Sequence, residues 1–401
     1  MRVIVIGAGF AGACAAFLFR ERCGASVTVL EKETHAGGML RTLYTEDGLP
    51  YEYGPRVLSV FRGTQSGLAF VRRFLDLQQR DIYQGTQLRP SYPVIPFPVD
   101  RQSLMQIPDG EAIRSEMAQF ENTPPDESSL RSYLETSVGP TLTRLAFDGF
   151  NRKFWGRDID QLPASWGKLR RLERIAETGS YRLPSVAPHF YPKGGFNSLF
   201  DQLLEGVPIR YGTAVGAVVA SPNGPVVHYD GTSLSADLVL STAPIDELLG
   251  YGFGALEWKG YRVETSVETK ITLAAAPDGI PFSWIYTPWL ETPVCRTTDF
   301  GVIHQGPERR DPAVVLREIP DPDVRMYPVS WEEERFSQYL AASAEIPGLV
   351  PLGRLGLYKY VTTDSTFAMI ERLFEALPNY QKADAEERFT LLKQVRGDWT
   401  N

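Results

Sequence analysis

Cysteine and histidine are scarce in this chain, with three cysteines (Cys14, Cys23 and Cys295) and four histidines (His35, His189, His228 and His304) scattered through 401 residues. None has the spacing of a disulfide framework or of a zinc ligand set, so neither covalent staples nor a metal site is expected. Long hydrophobic runs are missing, as is an opening basic segment followed by an apolar core, which points to a cytoplasmic protein without membrane attachment. Positive charge is also short: 41 Lys and Arg against 49 Asp and Glu leave a formal −8. That excludes a general nucleic-acid binder and still leaves arginines to gather around an anionic ligand. Internal repeats and low-complexity tracts are absent.

Glycine, by contrast, stands in a telling place. Residues 3–12, VIVIGAGFAG, run an apolar strand straight into Gly7-x-Gly9-x-x-Gly12 and an alanine-rich helix. Gly7 permits the tight turn, Gly9 lets backbone approach a pyrophosphate, and Gly12 lets the helix lie on the strand, with the phosphates at the helix N-terminus. A second apolar strand, 27–30, ends in Glu31, whose carboxylate can accept from ribose hydroxyls and repels a 2′-phosphate. Gly37-Gly38 follows as another point of close backbone approach, which favours FAD over NAD. With 43% hydrophobic and 22% charged residues, the chain buries a large core and divides into two or three domains.

The periodicity beyond residue 65 predicts interleaved domains. Segments 67–77, 103–119 and 128–153 carry apolar residues at helical spacing, separated by turn-rich pieces such as 122–125. The proline-rich 84–100 reads as extended chain, because proline there prevents helix. Short β-branched strands are predicted at 208–211, 226–229 and 238–241, returning to the cofactor domain, and helices at 331–342, 365–377 and 385–395.

Eight ordered motifs stand behind the glycine fingerprint: YEYGP at 51–55, IPFPVD at 95–100, FWGRDIDQLPAS at 154–165, YPKGGF at 191–196, APID at 243–246, FGALEW at 253–258, YPV at 327–329 and GRLGLYKY at 353–360. In this order they resemble the UDP-galactopyranose mutase family. The resemblance implies an α/β protein: a Rossmann-like FAD-binding domain (1–65, 192–250 and 335–401), a helical-bundle insertion (66–165), and an antiparallel β-sheet substrate domain (166–191 and 251–334). It also implies a reaction in which reduced FAD attacks the anomeric carbon of a nucleotide sugar and displaces the nucleoside diphosphate, with no net redox. A dianionic leaving group calls for arginines, whose planar fork engages two oxygens together. The partners implied are a nucleotide diphosphate sugar and a second copy of the chain in a homo-oligomer.

By motif match, the catalytic set is Arg170, Arg296, Tyr181, Tyr327 and Tyr360, together with Arg56 in the flavin-side loop. Arg170 falls one position late after the LPAS motif but keeps the family's interval to Tyr181, so a one-residue insertion explains both; Arg171 is the alternative. Phe150, Trp155 and Tyr286 match substrate-binding aromatics. Cofactor binding falls to Gly7, Gly9, Gly12, Glu31, Gly37, Gly38, Tyr53, Gly54, Pro55, Val215, Arg354 and Asp364, with a structural ion pair as the alternative for Arg354.

Four departures from the family pattern bear on the substrate. The loop reads Tyr53-Gly54-Pro55-Arg56 through Ser59 without either family histidine, and Arg56 cannot shuttle protons near neutrality as imidazole does. A family asparagine becomes Ile285, a family glutamine becomes Phe154, and the arginine after LPAS is displaced. These changes put the family's usual UDP-galactose in question and point to a changed nucleotide, a changed hexose or both, so the expected substrate is UDP-galactose or a variant such as a GDP-linked hexose. An amine-oxidase-like oxidoreductase and a non-catalytic nucleotide-sugar binder are the other readings.

Overall fold

A computed structural model describes residues 1–59, 65–170, 188–269, 273–276, 279–306 and 311–397. Strand β1 (Arg2–Ile6), helix α1 (Phe10–Cys23) and strand β2 (Ser26–Leu30) open the chain. β1 lies parallel to β2, with Arg2 opposite Ser26, and parallel on its other edge to Leu238–Ser241. Ile209–Arg210 and Leu349–Pro351 complete a five-stranded parallel sheet on the outer edges of β2 and Leu238–Ser241 respectively. The strand order reverses direction beside β1, and an open sheet of this kind receives ligands outside the carboxyl ends of its strands at such a switch point.

Both faces of this sheet are covered. Ala13, Ala15, Ala16 and Phe19 of α1 are fully buried, and the Phe19 ring sits 4.7 Å from Phe374 on the long helix Thr363–Tyr380. Thr362 and Ser365 close a reciprocal capping box that starts this helix. The amphipathic segment near the end forms the helix Ala385–Arg396 behind its own box, Asp384 with Glu387, and Arg396 ties it to Glu333 by a hydrogen bond of 2.8 Å.

Three expected helices are interrupted. The segment 67–77 gives only Ser66–Val71, because Leu77–Arg80 is drawn into antiparallel pairing with His189–Pro192. The segment 103–119 breaks into Arg101–Leu104 and Gly110–Phe120; Pro108 falls between them, where its ring and missing N–H disfavour helix. Gly139, at φ +85°, and Pro140 end Leu130–Val138, after which the chain resumes as Pro140–Thr143, a wider turn, and Gly149–Trp155. The proline-rich stretch is extended and supplies Gln84–Thr86 and Ile95–Pro96 to a six-stranded sheet.

That sheet runs, in spatial order, Tyr261–Glu268, Ala313–Pro320, Arg296–Asp299, Trp284–Tyr286, Gln84–Thr86 and Ile95–Pro96. All its pairings are antiparallel except that of Trp284–Tyr286 with Gln84–Thr86. The expected strands at 226–229 and 238–241 have those bounds, but Val226–Tyr229 belongs to a separate three-stranded antiparallel sheet with Val215–Val219 and Thr232–Ser235. Among the described residues, no helix is long and apolar enough to cross a membrane, and no group of His, Cys, Asp and Glu could hold a metal ion.

Candidate active site

The carboxyl end of β1 opens into a cradle built by glycines with two different duties. Gly12 excludes a side chain for packing, since a Cβ there would sit 1.9 Å from the Gly7 carbonyl oxygen. Gly9 leaves space: a Cβ would meet nothing nearer than Gly38 Cα at 3.9 Å. Gly9 is also the N-cap of α1 and supplies no capping side chain, so the first-turn amides face that space with the positive end of the helix dipole behind them. Gly37, at φ +112°, donates its N–H to the Ala8 carbonyl at 3.0 Å and brings Gly38 against Gly9. Glu31 stands at the end of β2 with its carboxylate fixed by the amides of Ala8 at 2.6 Å and Glu33 at 2.9 Å. A dinucleotide pyrophosphate and its ribose fit this arrangement of free amides, open space and an oriented carboxylate.

The six-stranded sheet builds the second half of the site by register. Tyr286 pairs with Arg296, Arg296 with Glu318, and Glu318 with Val263. Cross-strand partners share a face and alternate residues return to it. Tyr261, Glu318, Arg296, Tyr286 and Trp284 therefore project to one side. Ile285, between two of them, points to the other side and is buried with Tyr83, Ala276 and Phe282.

The loop 53–56 lies on the charged side. Gly54, at φ +92°, passes so close that a Cβ would fall 2.2 Å from Glu318 Oε1. Arg296 grips Glu318 through both Nε and Nη2, the latter at 2.7 Å, and this pair is nearly sealed from solvent. Burial disfavours the Arg296 charge, but Glu318 more than offsets it and drives the guanidinium further toward its protonated form. Arg56 Nη2 donates to the Tyr261 hydroxyl at 3.5 Å, and its buried Nε has no hydrogen-bond partner among the described residues. The Tyr261 hydroxyl in turn lies 3.2 Å from that of Tyr327.

This is a desolvated site holding two arginines, one carboxylate and several phenols next to a dinucleotide cradle. The sequence model of the family "flavin containing amine oxidoreductase" matches residues 10–258. The chain belongs to that family. FAD is accordingly its cofactor, in agreement with the cradle. Among curated relatives, UDP-galactopyranose mutase of Mycoplasma pneumoniae is 24% identical, covering 91% of this chain and 93% of its own. The dTDP-fucopyranose mutase of Escherichia coli is 23% identical over 96% of this chain and all of its own length. A crystal structure of reduced UDP-galactopyranose mutase has the same fold, with a TM-score of 0.72, 16% identity and 99% coverage of both chains.

The remaining candidates in this flavin-containing amine oxidoreductase fall into three groups. Tyr327 and Tyr360 are stacked with centroids 5.8 Å apart, and the Arg354 guanidinium lies over both rings, at 5.4 and 4.8 Å. Arg354 donates to the carbonyl of Val361 at 2.8 Å, so backbone acceptors and aromatic faces hold it, and among the described residues it forms no ion pair. Phe150 and Tyr286 meet edge to face at 5.8 Å. Trp155 is only 3% exposed and packs among Phe154, Trp166 and Trp331, whereas its neighbour Phe154 faces Tyr327 at 5.5 Å. The helix Gly149–Trp155 thus presents Phe150 and Phe154 to the phenols and buries Trp155 behind them.

Two candidates, Asp364 and Val215, stand apart from the phenol cluster. Asp364 is buried and accepts from the Gly67 amide at 2.9 Å, pinning the start of helix Ser66–Val71. Val215 packs in the apolar cluster of the small antiparallel sheet. Tyr53 contributes its carbonyl to Tyr261 at 3.3 Å, and Pro55 is half-buried in the same loop. Tyr181 and Arg171 lie outside the described residues, as does the side chain of Arg170.

Tyr261, Glu318 and Lys153 were not singled out by sequence, although Glu318 could have been reached by asking what neutralises a buried Arg296 across the sheet. Lys153 points its ammonium into a ring of backbone carbonyls, Thr287 at 2.5 Å, Val294 at 2.7 Å, Trp289 at 2.9 Å and Thr292 at 3.3 Å. It thereby clamps the chain leading to Arg296 onto the helix that carries Phe150 and Phe154. Replacing Lys153 with Met is expected to strand these acceptors and to cost about 1–3 kcal/mol, read as a lower denaturant midpoint for the FAD-loaded protein.

Proposed function

We propose that this flavoprotein is a mutase interconverting the pyranose and furanose forms of a hexose linked to a nucleoside diphosphate. The observation that carries the reading is the meeting of Arg56, Arg296, Tyr327 and Tyr286 beside the loop that adjoins the flavin-binding half. The two curated mutases, each matching nearly the whole chain, support it. Arg56 and Arg296 match the charge of a departing diphosphate in a dry site, where arginine keeps its proton at any working pH. Arg296 spends two of its donors on Glu318, so Arg56, with a free Nε, makes the more directional contact. Phe150, Phe154 and Tyr286 line the approach and exclude water, Tyr327 and Tyr360 offer hydroxyls to phosphate oxygens, and Arg170 and Tyr181 remain proposed ligands by motif match alone. FAD, when bound and reduced, would supply a nucleophilic ring nitrogen for the anomeric carbon.

Two sequence departures face the site, Arg56 and Phe154, and these bear on which sugar is accepted. Ile285 does not, because strand alternation turns it to the opposite face. The substrate is a UDP-, dTDP- or GDP-linked hexose.

The test incubates dithionite-reduced protein with each of these nucleotide sugars and follows the furanose by chromatography. Many turnovers per reducing equivalent are expected, with none for fully oxidised protein under strict exclusion of reductants. Steady oxygen or NADPH consumption without ring isomerisation would replace the mutase reading with an oxidoreductase; tight binding without turnover would leave a nucleotide-sugar binder.

A further inference from the structure

The buried hydroxyl of Tyr261 has one proton to give and two neighbours that could take it, the Tyr53 carbonyl and the Tyr327 hydroxyl. It stands within hydrogen-bond reach of the Tyr53 carbonyl at 3.3 Å, of the Tyr327 hydroxyl at 3.2 Å and of Arg56 Nη2 at 3.5 Å. Arg56 can only donate and the Tyr53 carbonyl can only accept, while each phenol has one proton to give. Two arrangements satisfy these constraints. In the first, Tyr261 donates to the Tyr53 carbonyl and Tyr327 donates to Tyr261. In the second, Tyr261 donates to Tyr327, which frees the Tyr327 proton to point away from the loop.

We propose that Tyr261 is a positioning residue that sets the direction in which Tyr327 donates, turning it outward when a phosphate oxygen of a nucleoside diphosphate arrives to accept. The identity of that ligand rests on the mutase reading; the coupling of the two phenols does not. The exchange rotates two O–H bonds, moves no proton between heavy atoms and needs no co-reactant. A hydroxyl that receives one hydrogen bond donates a stronger one, so the Tyr261 proton reinforces the outward bond of Tyr327.

The surroundings support the assigned direction. Arg56, Arg296, Arg354 and Glu318 are the charged groups facing the pair. Against the opposing effect of burial, Arg56 and Arg354 hold the Tyr327 phenol below its ordinary range. Burial, followed by Glu318 and Tyr327 itself, pushes the Tyr261 phenol well up. Tyr261 is therefore the member that retains its proton and Tyr327 the member that shares one. Phe154 and Tyr360 cover the Tyr327 ring, which leaves its hydroxyl as the group that can change partner.

The test uses the FAD-loaded full chain with Tyr261→Phe and Tyr327→Phe. The tyrosinate absorbance is titrated with alkali, and kcat and KM are measured on the accepted nucleotide sugar. Tyr327→Phe should remove the phenol that ionises first. Tyr261→Phe should move that transition to higher pH, because the phenolate loses its donor, and should lower kcat by about 10- to 100-fold with KM changed less than about threefold. A titration curve and kcat equal to wild type in Tyr261→Phe would overturn the proposal. If Tyr261→Phe fails to hold FAD, Tyr261→Gln is read instead. With a donor and an acceptor kept in place, it should leave the Tyr327 transition where wild type has it, and a shift as large as loss of the donor demands would overturn the proposal. A shifted titration in a protein that isomerises no nucleotide sugar would retain the coupling and discard the mutase reading.

Discussion

Arg296→Ala is expected to lose stability and nucleotide affinity together, and by amounts large enough to separate from ordinary surface effects. Glu318 is 2% exposed and its two oxygens are held by the Arg296 fork. Removing one partner of a buried pair leaves the other charged in a medium that cannot solvate it, at a cost of about 3–5 kcal/mol. The same substitution withdraws positive charge from the proposed diphosphate site, for a further loss in binding of roughly 2–5 kcal/mol, or about 30-fold to several thousand-fold. Thermal unfolding of the FAD-loaded protein reads the first loss, and calorimetric titration with UDP, dTDP and GDP reads the second. Glu318→Gln separates the two roles: it should also destabilise the protein, but it releases the Arg296 fork and so should tighten nucleoside diphosphate binding. Should Arg296→Ala unfold early yet bind as tightly as wild type, Arg296 would be a partner of Glu318 and nothing more.

Substitution at Gly9 and at Gly12 is expected to fail in opposite ways. A Cβ on Gly9 meets only Gly38 Cα at ordinary contact distance, so Gly9→Val should fold and yet return colourless protein, because the side chain fills the space in front of the α1 amides. A Cβ on Gly12 would lie 1.9 Å from a backbone oxygen that cannot swing aside. Gly12→Ala should therefore destabilise the fold itself, by about 3 kcal/mol or more, with FAD lost as a consequence. Flavin absorbance of purified protein and denaturant unfolding of the apoprotein distinguish the cases. Wild-type flavin content in Gly9→Val would move the cofactor away from this cradle.

The sequence carried the cofactor half of the molecule almost completely. The glycine spacing, Glu31 and the strand that bears it are local features, and local geometry makes the turn, the helix start and the carboxylate position follow from neighbours in the chain. The resemblance of short, contiguous motifs to the mutase family led to Tyr327 and Tyr360 by the same route, and to Arg296 by its place after the Tyr286-Thr287 pair. The expected long helices were less legible, because helical periodicity cannot register that Leu77–Arg80 finds a strand partner at His189–Pro192 or that a proline interrupts an apolar stripe.

What the chain alone determined was therefore the cofactor class and the family resemblance. Only the tertiary structure decided which side chains share a face. Tyr286 and Arg296 meet because two strands pair in one register, and Glu318 and Tyr261 join them from strands whose positions in sequence give no hint of that neighbourhood. Alternation along the same strand sends Ile285 to the far side, and a single residue step of helix, about 100° of rotation, separates Phe154, in the cluster, from Trp155, buried behind it. Register and facing are long-range properties: one residue of slip would exchange every one of these assignments, and nothing within a strand fixes its partner until the sheet is formed.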